Sequence, residues 1–207
     1  MMTSGNLQVL TVGHSNHSIE VFLNLLQRHE VTALADVRSM PYSRFNPHFN
    51  REPLKESLVA NGIRYAFFGQ ELGGRSDDPA CYHNGRVRYD CLAQTEGFHW
   101  GIQRVMRSAE TYRIALMCSE KDPLECHRTL LVAKELAVQG VEVQHILGNG
   151  ALETDAEAME RLLDIVGLPH HDLFRSSEEL IAEALATQED RVAYVDKRLL
   201  AEAVGTR

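Results

Sequence analysis

Short apolar runs alternate with amphipathic segments through the first 147 residues, and this alternation constrains the fold more than any other feature. Each run is rich in β-branched or aromatic residues and is bounded by glycine or polar residues, as buried strands are. The predicted strands are Leu7–Val12, Val31–Val37, Ile63–Phe68, Arg113–Cys118 and Val141–Leu147. A strand followed by a helix, four times over and closed by a fifth strand, predicts an α/β fold. We expect an open, mostly parallel five-stranded sheet with helices on both faces.

Residues typical of helix starts support the segments between these strands. Ser18, Asn50 and Thr95 each precede a segment with a helical pattern, where their side chains can accept a hydrogen bond from a free backbone N–H group. Asp122 followed by Pro123, with a glutamate two residues further on, predicts the start of a fourth helix. That helix would direct its positive end and its free N–H groups towards the carboxyl edge of the sheet.

The last part of the chain differs in charge and pattern. Residues 1–150 carry 16 acidic and 15 basic side chains, whereas residues 151–207 carry 13 acidic and 6 basic ones. Ser176 and Glu179 form a capping-box pattern ahead of a helical segment. We therefore divide the chain into an α/β domain over 1–150, which carries the candidate site, and an acidic helical C-terminal extension over 151–207 that packs on it.

Composition excludes several classes of protein. The net charge of −8 argues against a protein that coats DNA through bulk charge, although a local basic site on the nearly neutral first part remains compatible with nucleic acid. No apolar stretch is long enough to cross a membrane, and the N-terminus has no signal-peptide pattern. Four scattered cysteines do not make a disulfide scaffold, so we expect a reduced, cytoplasmic protein without a membrane partner.

Reactive side chains follow four of the predicted strands at the point where each strand ends. Because ligands bind beyond the carboxyl ends of the strands in an open parallel sheet, these side chains should surround one crevice. We predict Asp36, Cys118, Glu120, Cys126 and His127 as catalytic residues. The predicted substrate-binding residues are His14, Arg38, Ser43, Arg44, Gly73, Gly74 and Arg128, with Arg75 on the same edge.

The arginines of this set predict an anionic ligand. Their planar guanidinium groups suit phosphate or carboxylate. Asp36 and Glu120 would either be held ionised by the arginines, or one of them would be raised to act as an acid. His14 and His127 are further candidates for proton transfer. Each side chain also has a structural interpretation as a cap, a surface ion pair or a packed core residue, and their shared position favours a site.

The stretch LMCSEKDPLECHR, residues 116–128, gathers two thiols, a carboxylate, an imidazole and a guanidinium. A positive environment would favour a thiolate at either cysteine. The spacing matches neither a cysteine phosphatase loop nor a Cys-x-x-Cys motif, and the chain has no P-loop. We predict no metal and no required cofactor, while zinc or iron on Cys118, Cys126 and His127 stays an alternative, as does a metal on Cys81, His83 and Cys91.

The landmarks of the chain resemble those of the family called domain of unknown function 488. The matching stretches cover about residues 9–147 and are TVGHS (11–15), ADVRSMPYSR (35–44), the phenylalanine and asparagine of NPHFN (46–50), GIRYAFFGQELGG (62–74) and CSEKDPLECHR (118–128). The tail, with RVAYVDK, is similar to the family's C-terminal extension. The resemblance implies a compact α/β fold with the predicted site residues named above as its hallmarks. It implies no activity.

Three functions are compatible with these features. The first is an enzyme that acts on a small phosphorylated or nucleotide-like substrate or on a nucleic-acid end, by N-glycosidic hydrolysis or transfer, with Glu120 or Asp36 as acid, base or nucleophile. The second is a thiol enzyme that uses Cys118 and Cys126 as a redox pair or as a nucleophile beside His127. The third is a non-catalytic module that binds nucleic acid or protein. The sequence indicates no oligomeric state.

Overall fold

A computed structural model describes residues 7–200 of the chain. The helices and strands follow one another in this order: β1 (Gln8–Gly13), α1 (Ile19–Arg28), β2 (Ala33–Asp36), a 3₁₀ turn (Pro47–Phe49), α2 (Arg51–Ala60), β3 (Arg64–Phe67), α3 (Gly69–Leu72), a 3₁₀ turn (Pro79–Cys81), β4 (Tyr82–His83), β5 (Arg86–Val87), α4 (Tyr89–Ala93), α5 (Glu96–Ala109), β6 (Ile114–Cys118), a 3₁₀ turn (Pro123–Glu125), a π-helix (Arg128–Ala133), α6 (Lys134–Val138), β7 (Glu142–Ile146), β8 (Leu152–Thr154), α7 (Asp155–Val166) and α8 (Ser177–Val192).

The main sheet confirms the predicted fold class. Its order is β3-β2-β6-β1-β7-β8, and the first five of these strands, which are the five predicted ones, run parallel. The sixth strand, β8, pairs antiparallel with β7 at the edge of the sheet. The sequence analysis missed β8 because its three residues lie in a tail that was interpreted as helical. The strands β4 and β5 form a separate two-stranded hairpin.

Apolar side chains fill both faces of the sheet. On one face α1 and α2 bury Phe22 and Leu54 in a cluster that also includes Leu10 of β1. On the other face α5 and the π-helix bury Val105 and Leu130 against β2, β6 and β7. Since full burial of one such side chain contributes about 1.5–3 kcal/mol, these two layers supply the main stabilisation of the sheet. The predicted helices on both faces are confirmed.

The C-terminal part packs α7 and α8 around a third apolar cluster. Leu162 of α7 and Leu180 of α8 are fully buried there with Leu124, which belongs to the 3₁₀ turn after β6. Ser176 and Glu179 form the predicted capping box at the start of α8. The boundary at residue 150 between a domain and an extension stays a prediction. Within residues 7–200, no helix combines the length and the apolar content that spanning a membrane requires.

The predicted helix start at Asp122 is wrong. Asp122 does accept a hydrogen bond from the backbone N–H of Leu124, but the turn that it caps contains three residues only. Cys126 then adopts an extended conformation, with φ −144° and ψ 141°, and helical structure resumes at Arg128 as a π-helix. The interruption turns the Cys126 side chain back towards β6. No α-helix therefore directs its N-terminus from Pro123 into the crevice.

The segment 69–93, which has no regular sequence period, folds from α3, a 3₁₀ turn, the β4–β5 hairpin and α4. Cys81 and Cys91 form a disulfide within it, with Cα atoms 5.3 Å apart. This pair corrects the expectation that all cysteines are reduced. It also removes both sulfurs from the alternative metal site with His83. Cys118 and Cys126 are free thiols.

Candidate functional site

A cavity of about 220 Å³ opens at the carboxyl edge of the sheet, between β2 and β6. These strands are neighbours, with Asp36 opposite Met117. After β2 the chain continues to β3 on one side, and after β6 it continues to β7 on the other side of β1. Such a switch point is where ligands bind in open α/β sheets. The lining residues are Arg38, Ser39, Met40, Gly74, Arg75, Tyr89, Cys118, Ser119, Glu120, Glu125, Cys126, His127, Val192 and Tyr194.

Four of the five predicted catalytic residues converge in the wall of this cavity, and we call them the Cys–Glu–Cys–His cluster: Cys118, Glu120, Cys126 and His127. Both thiols donate to the same oxygen, Glu120 Oε2, at 3.2 Å from Cys118 Sγ and 3.1 Å from Cys126 Sγ. His127 Nδ1 lies 3.8 Å from the first sulfur and 3.9 Å from the second. Both sulfurs are buried in the cavity wall, within hydrogen-bonding distance of the same carboxylate.

The orientation of His127 is set by a backbone contact on the far side of its ring. His127 Nε2 lies 3.0 Å from the carbonyl oxygen of Val37, just after β2. Because a carbonyl oxygen only accepts, this nitrogen carries the proton. In the neutral ring, Nδ1 therefore presents its lone pair to the two sulfurs.

Burial and neighbouring charges shift the pKa values of the four groups of the cluster in different directions. Burial alone would raise the pKa of Cys126, but the hydrogen bond with Cys118 and the positive charges of Arg128 and His127 outweigh it and hold this pKa well below its ordinary value. The hydrogen bond with Cys126 and then burial raise the pKa of Cys118. Burial and the charge of Cys126 raise the pKa of Glu120. Burial opposes the protonation of His127, but the charge of Cys126 and the hydrogen bonds with Cys126 and Val37 together outweigh it and raise the pKa of the imidazole. Cys126 is therefore the first of the two thiols to ionise.

Arg128 lies directly behind the cluster and is fully buried. Its Nη1 donates to the carbonyl oxygen of Glu120 at 2.7 Å and its Nη2 to that of Lys121 at 3.3 Å, while its backbone N–H donates to Cys126 Sγ at 3.5 Å. The guanidinium thus holds the loop after β6 and places a positive charge behind the sulfurs. Arg128 was predicted to bind the substrate, but it does not line the cavity.

Asp36 and Arg38 form a buried ion pair beside the cavity. Arg38 Nε donates to Asp36 Oδ1 at 2.9 Å and Nη2 to Oδ2 at 2.7 Å, and Tyr65 also donates to Oδ2 at 2.8 Å. Nη2 of Arg38 further donates to the carbonyl oxygen of Phe49 at 2.8 Å. Asp36 is fully buried and lies outside the cavity lining, which Arg38 reaches. The geometry gives Asp36 a positioning role towards Arg38.

His14 belongs to the same buried layer. Its Nε2 accepts from Arg38 Nη1 at 3.3 Å, its Nδ1 donates to the carbonyl oxygen of Ser15 at 2.8 Å, and its ring stacks on Phe49 with centroids 4.3 Å apart. Burial, followed by the positive charge of Arg38, lowers the pKa of His14 to about 4. The imidazole is therefore neutral at neutral pH, with both nitrogens engaged and no place in the cavity lining.

Ser43 and Arg44 lie in the loop before α2 and outside the cavity lining. Ser43 Oγ accepts from the backbone N–H groups of Phe45 and Asn46, both at 3.2 Å, and its own N–H donates to Asn50 Oδ1 at 2.6 Å. Asn50 was predicted to cap α2, but its side chain holds this loop instead. Arg44 is exposed at the surface. The crevice brings neither residue to the cluster.

The two glycines after α3 permit close approach between loops. A Cβ at Gly73 would overlap Ser39 and the carbonyl oxygen of Gly69. A Cβ at Gly74 would lie 2.8 Å from His127 Cγ and 3.1 Å from Nδ1. Gly74 therefore forms one wall of the space that holds the imidazole. Gly74 thus packs against His127 and also lines the cavity.

Replacing Gly74 with alanine should destabilise the protein by about 1–3 kcal/mol, because the added methyl group forces the His127 ring from its position against Val37. Urea unfolding of the variant measures this change. Gly97→Ala is the matched control: a Cβ there meets no atom within 4 Å, so its stability should be unchanged or slightly higher. A Gly74→Ala protein as stable as wild type would mean that the ring has room to move.

Several lining residues were missed by the sequence analysis. Tyr194 follows α8, lines the cavity and stacks under Arg75, whose guanidinium carbon lies 4.1 Å from the ring centroid. Tyr89 and Glu125 also belong to the wall. The stretch RVAYVDK, noted only as similar to a family extension, was the one signal in the sequence for Tyr194. Tyr89 lies in the aperiodic segment and gave no such signal.

Comparison with known proteins identifies a family and no activity. The family model described as "Domain of unknown function DUF488" matches residues 18–134. No curated protein matches the chain. A search of the solved structures also found no match. The matched range includes β2, β3 and β6 and all four residues of the Cys–Glu–Cys–His cluster. The chain belongs to the domain of unknown function 488 family, as its sequence landmarks predicted.

Proposed function

We propose that the protein is an enzyme that hydrolyses or transfers a group on a small phosphorylated or nucleotide-like substrate. The observation that carries this proposal is the convergence of the Cys–Glu–Cys–His cluster with Arg38 and Arg75 on one cavity at the switch point of the sheet. A buried set of convergent nucleophilic and proton-transferring groups beside an arginine is typical of an active site. The volume of about 220 Å³ suits a small ligand or the end of a larger one.

Arg75 is the side chain best placed to bind an anionic group. It is exposed, it lines the cavity, and its guanidinium lies over the face of Tyr194. A planar guanidinium presents N–H donors that suit phosphate. Arg38 contributes a second guanidinium, but Asp36 neutralises most of its charge. Met40 and Tyr194 supply an apolar wall against which a sugar or base packs.

Glu120 is proposed as the group that transfers a proton, because its carboxylate both lines the cavity and contacts the two sulfurs. His127 is proposed to orient the sulfurs through Nδ1. Asp36, His14 and Arg128 are proposed as positioning residues that hold Arg38 and the loop after β6. Nucleic acid with an accessible end presents the same phosphate chemistry and stays a proposed alternative source of the substrate.

Ligand binding tests the proposal. Inorganic phosphate, AMP and a short single-stranded oligonucleotide are added separately, and the melting temperature and the binding heat are measured. We expect at least one of them to bind, and Arg75→Ala to weaken that binding by about tenfold or more, as loss of a charged hydrogen bond of about 1.5–3 kcal/mol requires.

Arg44→Ala is the matched control, since it also removes an exposed arginine but lies outside the cavity. Equal losses in the two arginine variants would contradict binding in the cavity. Glu120→Gln separates an enzyme from a binding module: it should bind the ligand and lose turnover. Turnover that is unchanged in Glu120→Gln would contradict the proposed catalytic role.

A further inference from the structure

We propose that Cys118, Cys126 and His127 bind a zinc ion whose fourth position faces the cavity beside Glu120. The two sulfurs and the imidazole nitrogen all lie within 4.8 Å of one another. The sequence analysis predicted no metal and left zinc or iron at these residues as an alternative, since one loop offers three soft ligands there. The proposal rests on the proposed function in one respect only: it names the group that would attract the anion to this cavity.

The spacing of the ligand atoms fits a tetrahedral zinc site. With Zn–S of about 2.3 Å and Zn–N of about 2.0–2.1 Å, sulfur and nitrogen ligands lie about 3.6 Å apart. His127 Nδ1 is 3.8 Å from Cys118 Sγ and 3.9 Å from Cys126 Sγ, so these two distances need to shorten by only a few tenths of an ångström. The two sulfurs lie within 4.8 Å of each other, and zinc would hold them about 3.8 Å apart. Glu120 Oε2 lies within 3.2 Å of both sulfurs and so borders the position that would face the cavity.

The surroundings of these atoms are those of an oriented metal site. A histidine ligand usually donates its other ring N–H to a carbonyl or carboxylate, which fixes the tautomer and the ring orientation. His127 does so through Nε2 and the Val37 carbonyl oxygen at 3.0 Å. The backbone N–H of Arg128 donates to Cys126 Sγ at 3.5 Å, a contact that stabilises a sulfur with negative charge.

Charge balance also favours a divalent cation. Zinc with two thiolates and a neutral imidazole carries no net charge, and the buried guanidinium of Arg128 lies directly behind the same loop. Two thiolates and an imidazole are soft and borderline ligands that zinc prefers over magnesium or calcium. The cavity provides the path by which the ion enters and by which a substrate reaches it.

The open fourth position of the zinc would accept an anionic oxygen directly, whereas Asp36 largely neutralises Arg38. A phosphate or carboxylate oxygen of the substrate would then bind at the zinc side, with Arg75 at the rim. The ligand would be anionic, as in the proposed function, and the metal would be its main binding partner in the cavity.

Metal analysis of the purified protein tests the inference. After dialysis against metal-free buffer, we expect about one zinc ion per chain in wild type. Loss of a residue that only supports a metal ligand typically lowers metal affinity about 10–100-fold. Cys126→Ser and His127→Ala each remove a ligand itself, so each should lower zinc affinity by more than this. Replacing the disulfide cysteines in the double variant Cys81→Ser/Cys91→Ser is the matched control and should leave the zinc content unchanged.

Cobalt(II) titration of the zinc-free wild-type protein gives a readout that no variant's folding can disturb. Binding should produce a thiolate-to-cobalt absorption band that saturates at one equivalent. Absence of that band, or zinc content that persists in both Cys126→Ser and His127→Ala, would overturn the metal site.

The two proposals fail separately. Phosphate or AMP binding that is equal in zinc-loaded and zinc-free protein supports the proposed function and contradicts the role of zinc as anion partner. A zinc-loaded protein that binds none of the anions, and yet shows the cobalt band, supports the metal site and contradicts the proposed substrate class.

Discussion

Replacing Asp36 with asparagine should lower the free energy of unfolding by about 3–5 kcal/mol, because it leaves the guanidinium of Arg38 buried without its counter-charge. The carboxylate is fully buried and Arg38 is 4 % exposed, so water cannot take the place of the lost partner. Both oxygens of Asp36 accept from Arg38, and Tyr65 donates to one of them. Urea unfolding at neutral pH measures the loss.

The exposed pair Arg88–Asp90 is the matched control for this prediction. Its ions are separated by 2.8 Å, but its side chains are 48 % and 66 % exposed, so Asp90→Asn should change stability by about 1 kcal/mol or less. The double variant Asp36→Asn/Arg38→Gln should recover part of the loss, since it removes the unpaired charge. A loss below about 1 kcal/mol in Asp36→Asn would contradict a buried, uncompensated guanidinium.

Acidification from pH 7.5 to pH 4.5 should cost the protein about 2.5 kcal/mol of stability through His14 alone. The pKa of His14 is lowered from 6.5 to about 4 in the folded protein. Between these two values the unfolded chain binds a proton that the folded chain does not, so stability falls as pH falls through this window. Above pH 6.5 the contribution is fully present.

The groups that face the His14 ring explain why protonation is unfavourable. Burial and the positive charge of Arg38 disfavour the imidazolium, His48 adds to this effect, and the carbonyl oxygen of Ser15 and the charge of Asp36 oppose it only in part. Arg38 Nη1 also donates to His14 Nε2, and a proton on that nitrogen would break this contact.

His14→Gln isolates this contribution, because its amide accepts a hydrogen bond and does not titrate. Urea unfolding of both proteins at pH 7.5 and 4.5 gives the difference in their pH dependence, in which the carboxylates common to both cancel. The variant should lose about 2.5 kcal/mol less than wild type on acidification. Identical pH dependence in the two proteins would contradict a buried neutral His14.

The periodicity of the sequence was sufficient for the sheet. Runs such as Val31–Val37 and Arg113–Cys118 are apolar throughout because both faces of a parallel strand are buried, and each became the predicted strand within two residues at either end. The carboxyl-edge rule then placed Arg38, Gly74 and the Cys–Glu–Cys–His cluster on one cavity. Such patterns are local, and a single sequence contains them.

The roles within the site depended on contacts between residues far apart in the chain. Asp36 and Glu120 are both carboxylates at or just beyond the ends of neighbouring strands. Asp36 pairs with Arg38 outside the cavity lining, whereas Glu120 contacts two sulfurs in the cavity wall. Arg44 and Arg75 look alike in the sequence, but only Arg75 reaches the cavity, where Tyr194 supports it. No local pattern distinguishes the members of either pair.

The sequence by itself determined the parallel α/β sheet, the helices on its two faces and the edge at which reactive side chains gather, because strand and helix periods are written in consecutive residues. Only the tertiary structure decided which of those side chains share the cavity. The extended conformation of Cys126, the contact of His127 with Val37 and the burial of Arg128 arise from packing between β2, β6 and the loop after β6. Those contacts join residues that are far apart in the sequence, and they form because a buried polar group needs a hydrogen-bond partner. The spacing of residues along the chain does not show which partner each group finds.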